Sequence, residues 1–263
     1  MTTLAGINVL ITGASGGFGQ EMIRQFLQAG SRVVVTDLSQ DKLEAAVAKV
    51  RETIRTGKVL GCIESDLSTR AGCEQLFADV QALGVEVEVL VNNAGIAQFG
   101  RLDQVPADKW EMLMQVNLLA PMRLSSLFIP GMIARQKGHL VNISSMAGWV
   151  GPEGLAPYAA SKFGLRGFGE ALHEELKPHN IKVTNVYPFF SRTPILDSPG
   201  YGSLPRQKLP DKMITDPVDV IGEVIKGIRE DKLHIFPDKT AKQLHMIRRF
   251  VPWALPYVNR RMG

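Results

Sequence analysis

The stretch Thr12-Gly13-Ala14-Ser15-Gly16-Gly17-Phe18-Gly19 constrains this chain more than any other. It follows a short apolar run, 8–12, and opens a helical pattern, 17–29. Glycines remove Cβ atoms where the backbone turns sharply from strand to helix and where a phosphate could approach closely. The amino end of the next helix offers unpaired N–H groups and a partial positive charge. A glycine cluster can also serve only a tight turn. With a strand before it and a helix after it, the pattern points to a dinucleotide pyrophosphate held by Gly13, Ser15, Gly16, Gly17, Phe18 and Gly19.

The rest of the chain repeats the strand–helix alternation. Runs rich in Val, Ile and Leu at 8–12, 32–36, 58–62, 87–92, 139–143, 182–186 and 233–236 are short enough for strands buried on both faces. Helical patterns at 17–29, 39–55, 69–82, 108–133 and 158–176 lie between them. Ser39 is placed to cap the second, Gly30 to end the first, and Pro178 to stop the last. Such alternation predicts right-handed crossovers. The expected fold is therefore α/β, a single Rossmann-type domain over 1–263: a doubly wound parallel sheet of about seven strands with helices on both faces.

The chain has 263 residues, 45% of them hydrophobic, which suffices for one sizeable core. No run reaches the roughly 18 consecutive apolar residues of a membrane span. The start leads directly into the first strand and reads as no signal peptide. Cys62 and Cys73 lack metal-ligand spacing, so no metal is expected and two reduced thiols of a cytoplasmic protein are. The net charge of +4 resides in the tail, where residues 239–263 hold six cations and no carboxylate. No basic stripe lies elsewhere, which argues against a nucleic-acid partner.

In a sheet of this kind ligands bind beyond the carboxyl ends of the strands. The glycine turn, Asp37, Asp66, Asn92–Gly95 and Ser144-Ser145 each follow an apolar run. Asp37 comes 18 residues after Gly19, where a carboxylate can accept from the ribose diol of an adenosine. It would repel a 2′-phosphate by about 4 kcal/mol for unit charges near 4 Å at an effective dielectric of 20. No Lys or Arg occupies the turn, so NAD is expected in preference to NADP. Tyr158 and Lys162 lie one helical turn apart. An ammonium beside a phenol favours the phenolate and would bring it toward use as a general acid or base.

Together these motifs resemble the short-chain dehydrogenase/reductase family along nearly the whole chain. The resemblance rests on the Thr12–Gly19 turn, Asn92-Asn93-Ala94-Gly95, Ser145 thirteen residues before Tyr158, Tyr158-Ala159-Ala160-Ser161-Lys162, and Asn117 within Met114-Gln115-Val116-Asn117-Leu118-Leu119-Ala120-Pro121. It implies a catalytic set of Asn117, Ser145, Tyr158 and Lys162. Tyr158 would exchange a proton with the substrate oxygen, and Ser145, rather than Ser144, would hold that oxygen. Lys162 would bind the nicotinamide ribose and lower the Tyr158 pKa. Asn117 would hold a relay water. Asp66 and Leu67 would flank the adenine, and Asn93, Ala94 and Gly95 the adenosine ribose. The implied activity is hydride transfer between NAD(H) and a carbonyl or a secondary or lipophilic alcohol.

One departure bears on the substrate. The family usually reads Pro-Gly after the sixth strand, with a Thr a few residues on; this chain has Pro188-Phe189-Phe190-Ser191-Arg192-Thr193. Pro188 and Thr193 remain as expected cofactor contacts. The added aromatics resemble the branch that includes retinol and hydroxysteroid dehydrogenases. Gln98, Met146, Trp149, Phe190 and Leu196 are the expected substrate residues, and 194–210, rich in Pro, Gly and Ser, the expected lid. The resemblance implies a homo-oligomer, a dimer or tetramer. The tail, 239–263, mixes cations with aromatics and reads as a short helix near 239–250 followed by an irregular segment. It could cover the pocket or a subunit neighbour, or touch a membrane periphery. Two alternatives stand beside this reading: an NADPH-dependent 3-oxoacyl reductase, and a dinucleotide-sensing scaffold without turnover.

Overall fold

The computed structural model describes residues 2–205, 210–251 and 253. Seven strands form one parallel sheet: β1 (Asn8–Thr12), β2 (Arg32–Asp37), β3 (Lys58–Glu64), β4 (Val89–Asn92), β5 (Gly138–Ile143), β6 (Ile181–Val186) and β7 (His234–Ile235). Their order is β3-β2-β1-β4-β5-β6-β7. The chain winds outward from β1 in both directions, so the crevice between β1 and β4 is the topological switch point. Val9 is in register with both Val33 and Val89, which brings the ends of β1, β2 and β4 to one edge.

The apolar runs are continuous because each strand is covered on both faces, and alternate residues serve opposite layers. Val9 and Ile11 pack with Ile23, Phe26, Leu43, Val220 and Val224. These helix residues belong to α1 (Gly17–Gln28), α2 (Gln40–Thr53) and α7 (Pro217–Arg229). Leu10 points the other way, to Leu76, Leu124, Phe128 and Leu172 of α3 (Arg70–Ala82), α5 (Ala120–Ala134) and α6 (Ala156–Leu176). Leu10 is fully buried, and its truncation to Ala would cost roughly 2–5 kcal/mol.

The structure departs from the sequence reading in several places. Helix α7 was not expected, although Asp216 caps it by accepting from Val218 N–H at 2.8 Å and Pro217 occupies its first position. The pattern at 108–133 is not one regular helix. It comprises α4 (Ala107–Met114), a π-helical turn at Gln115–Leu119, and α5. Strand β4 begins at Val89 rather than at 87, and β7 is only two residues long. As expected, the tail forms a short helix, α8 (Lys239–Phe250). The irregular segment expected after it falls largely on residues 252 and 254–263, which lie outside the described residues.

By length and composition the stretch Ala107–Ala134 is apolar enough to cross a membrane. Here Leu124, Phe128 and Met132 bury its inner face against the sheet. The expected lid starts with a 3₁₀ turn, Pro194–Asp197, and Gly200–Tyr201 pairs with Phe99–Gly100. Residues 206–209 of that segment are outside the described residues.

Candidate active site

The glycine turn forms as its residues require. Gly13 has φ +63°, a left-handed conformation that costs other residues about 1–2 kcal/mol, and a Cβ there would lie 2.7 Å from Ala94 Cα. A Cβ on Gly19 would fall on the Gly13 carbonyl. Asn93 closes the turn from β4: its Nδ2 donates to the carbonyls of Thr12 and Gly13 at 2.8 and 3.0 Å. Thr12 Oγ1 accepts from the N–H groups of Asn93 and Ala94, each at 3.0 Å. The expected outcome for Gly13→Ala is therefore a fold weakened by roughly 1–3 kcal/mol and a larger loss of dinucleotide affinity. Thermal unfolding and ligand titration would read the two separately.

Helix α1, like α4, α5 and α6, carries no side-chain N-cap. Its first N–H groups are thus left for a ligand at the positive end of the helix. At the end of β2, the Asp37 carboxylate accepts from Ser15 N–H at 2.8 Å and Ser15 Oγ–H at 2.7 Å. This ties the acidic residue to the glycine turn. Asp66, exposed after β3, accepts from Ser68 N–H at 2.9 Å.

A cleft of about 460 Å³ runs along this edge of the sheet. Its lining contains every residue expected to hold the cofactor: Gly13, Ser15, Gly16, Gly17, Phe18, Gly19, Asp37, Asp66, Leu67, Asn93, Ala94, Gly95, Tyr158, Lys162, Pro188 and Thr193. Ser145 lines it too. The residues fit a dinucleotide on two further observations. Bare glycine backbone faces the cleft, and Ser191 Oγ, in a residue 4% exposed on the cleft wall, has no hydrogen-bond partner among the described residues. A buried orphan hydroxyl costs about 1–3 kcal/mol unless a ligand or water satisfies it. Sequence reasoning missed Ser191.

At the reacting end, Lys162 is 4% exposed, and its Nζ donates to the Ile143 carbonyl at 2.9 Å and sits 5.6 Å from the centre of the Tyr158 ring. Ser144 donates its hydroxyl to the Lys162 carbonyl at 3.0 Å and so braces the helix. Ser145 instead heads a turn, its Oγ accepting from Ala147 N–H at 3.1 Å, and its hydroxyl acts on the Tyr158 phenol. Asn117 is fully buried on the π turn. Its amide clasps Ile96, accepting from the N–H and donating to the carbonyl, each at 2.8 Å. The wider turn directs this side chain at the segment after β4, a common use of π bulges.

The expected depression of the tyrosine pKa is not produced by the protein groups alone. Tyr158 is half-buried, yet burial is the larger effect and pushes its pKa up to about 12, while the hydrogen bond with Ser145 pulls it back only in part. Burial also lowers Lys162 to about 8. At neutral pH the phenol is held as a proton donor beside a largely charged lysine.

The substrate residues are placed differently from expectation. Gln98, Met146, Trp149, Phe190 and Leu196 are not part of the cleft lining. Met146 is buried with Tyr187, Ala241 and Leu244 under α8. Trp149 packs edge-on against Tyr187, Phe236 and His245 and stacks beneath the Arg166 guanidinium at 3.4 Å. Gln98 is buried. Phe190 meets its neighbour Phe189 edge-to-face, and Leu196 lies on the 3₁₀ turn. The apolar lining comes instead from Ile96, Val116, Phe189 and Ile195. Each adjoins a residue the sequence singled out, but which neighbour faces inward depends on local geometry. Asp238, also missed, is buried at the start of α8. Its carboxylate accepts from Ala241 N–H at 2.7 Å and from Phe189 N–H at 2.9 Å, joining the tail helix to the cleft loop.

Sheet order, glycine turn and clustered side chains define a nucleotide-dependent oxidoreductase of the doubly wound class. A family model described as short chain dehydrogenase matches residues 8–200, and the chain belongs to that family. It is 33% identical over 254 residues to the human (Homo sapiens) protein "Epidermal retinol dehydrogenase 2", covering 95% of this chain and 79% of the relative. It is 32% identical over 209 residues to "3-oxoacyl-[acyl-carrier-protein] reductase FabG" of Thermotoga maritima, covering 80% of each. Among solved structures, a short-chain dehydrogenase from Sphingobium yanoikuyae in complex with NADPH superimposes with a TM-score of 0.77 at 25% identity, covering 97% of this chain and 93% of the other. The chain is an oxidoreductase of this family.

Proposed function

We propose that the enzyme transfers a hydride between NAD(H) and a lipophilic alcohol or ketone, with Tyr158 as general acid or base. The observation that carries this reading is the cleft itself, which has Asp37 at one end and Tyr158, Lys162 and Ser145 at the other. When bound, the nicotinamide supplies or accepts the hydride; the chain's residues orient and protonate. Ser145 and Tyr158 hold the substrate oxygen, and Lys162 binds the ribose hydroxyls. Asn117 holds the relay water. The apolar side chains Ile96, Val116, Phe189 and Ile195 support a lipophilic substrate, as does similarity to a relative named for retinol. A lid over 194–210 would close the site. Exposed Met112, Met122 and Phe163 on α4, α5 and α6 support a homo-oligomer through these helices, and two free cysteines suit a cytoplasmic location.

The test is a panel of retinoids, steroids, secondary alcohols, short ketones and 3-oxoacyl thioesters, each run with NAD(H) and NADP(H). Turnover only of the thioesters with NADPH would favour the 3-oxoacyl reductase reading that the Thermotoga maritima relative represents. The pH profile is a second check. Reduction consumes the protonated phenol, whereas oxidation needs the phenolate. With the free-enzyme Tyr158 value raised to about 12, kcat/KM for alcohol oxidation should climb with pH through the neutral and mildly alkaline range. Ketone reduction should be well sustained at neutral pH. An oxidation rate that falls from pH 7 to 9 in a stable enzyme would contradict Tyr158 as the base.

A further inference from the structure

Helix α8 is amphipathic in an unusual sense, because both of its long faces carry apolar side chains. Ala241 and Leu244 dock it onto Met146 and Tyr187, with Trp149 and Phe236 packed alongside, and His245 stacks on Phe236 at 4.0 Å. Asp238 fixes its amino end. The helix is therefore held in place by its inner face, and its outward apolar residues are not needed for that docking. Met246 is 53% exposed and Phe250 64%, one turn apart on the outer face, and Trp253, three residues further on, is 73% exposed. Single exposed apolar residues need no explanation, but a row of this kind does.

Exposed cations Lys239, Lys242, Arg248 and Arg249 flank the row, and Arg249 lies over the Phe250 ring at 5.4 Å. No carboxylate occurs within α8. Beyond the capping Asp238, Glu223 of α7 approaches Lys242 at 3.8 Å. We infer that this face of α8 docks on an anionic lipid bilayer, with Met246, Phe250 and Trp253 at the headgroup level and the cations against lipid phosphates and carboxylates. Large apolar and aromatic side chains interleaved with Lys and Arg are the composition such an interface selects. A second copy meeting the same face about a two-fold axis would set Arg248 and Arg249 near their own counterparts, a like-charge arrangement that disfavours self-association.

The experiment is co-sedimentation of the full chain with phosphatidylcholine vesicles, with and without phosphatidylserine, at low and high salt. Binding should require phosphatidylserine and weaken as salt screens the cations. Met246→Ser with Phe250→Ser and Trp253→Ser, and separately Arg248→Glu with Arg249→Glu, should each lower partitioning by about tenfold or more. Both sets lie on exposed positions, so thermal midpoints should stay close to that of the unchanged chain. The inference is overturned if the unchanged chain ignores phosphatidylserine vesicles at low salt, or if either stable variant binds them equally well. It is also overturned if sedimentation velocity shows the apolar variant dissociating an oligomer without any vesicle binding, since a second copy would then be the occupant.

Discussion

Replacing Tyr158 by Phe is expected to lower kcat by at least about 10² and as much as about 10⁴, the range for removal of a positioned general acid or base. The ring stays and only the hydroxyl goes, so the wall of the cleft keeps its shape. Dinucleotide affinity, measured by titration without substrate, should remain close to that of the unchanged enzyme, because the glycine turn, Asp37 and Lys162 are untouched. A Lys162→Ala variant provides the contrast. Lys162 is nearly enclosed and bonded to the Ile143 carbonyl, and the proposed role has it touching the ribose as well as the tyrosine. Affinity and kcat should then fall together. Near-normal turnover by Tyr158→Phe would sink the assigned role.

Cofactor choice should be the second large effect. The Asp37 carboxylate sits at the end of β2 with both Ser15 donors upon it, where a 2′-phosphate would meet a negative charge. The Coulomb figure of about 4 kcal/mol at 4 Å and dielectric 20 is an upper guide, and a preference for NADH over NADPH of about 10² or more in kcat/KM is expected. Asp37→Ala should narrow that ratio by at least about tenfold. The ratio is the proper readout, because losing the bonds to Ser15 also loosens the glycine turn for both cofactors. An unchanged enzyme that uses NADPH faster than NADH at equal concentration would overturn the role given to Asp37.

The sheet was legible because its signals are local. Short Val- and Ile-rich runs, glycines at forced turns and Ser or Thr before helices identify themselves without knowledge of the fold. Ser39 caps α2, bonding Lys42 N–H as the sequence suggests. Helix α7 is equally legible, with Asp216-Pro217 at its start and Val220, Ile221, Val224, Ile225 and Ile228 at helical spacing. Other features arise only from the assembled chain. Asn92, Asn142 and Asn185 form a buried amide ladder across β4, β5 and β6, with bonds of 2.9 and 3.0 Å. Their alignment depends on strand register, not on spacing in the sequence. The π turn under Asn117 and the inward choice of Phe189 over Phe190 are likewise tertiary outcomes. The tyrosine is a related case: the sequence places Lys162 near it, but shows neither the burial that raises the phenol nor the Ser145 hydroxyl that lowers it.

The shared carboxylate of Asp238 has a consequence for regulation. One of its oxygens completes the amino end of α8 and the other holds Phe189 N–H in the cleft loop. Two events that perturb one side chain are thermodynamically linked, and linkage is reciprocal. Whatever factor a displacement of α8 imposes on nucleotide affinity, nucleotide occupancy must impose on the seating of α8. A spectroscopic label on the outer face of α8 would measure that factor directly, by comparing the seating of the helix with and without nucleotide in the cleft.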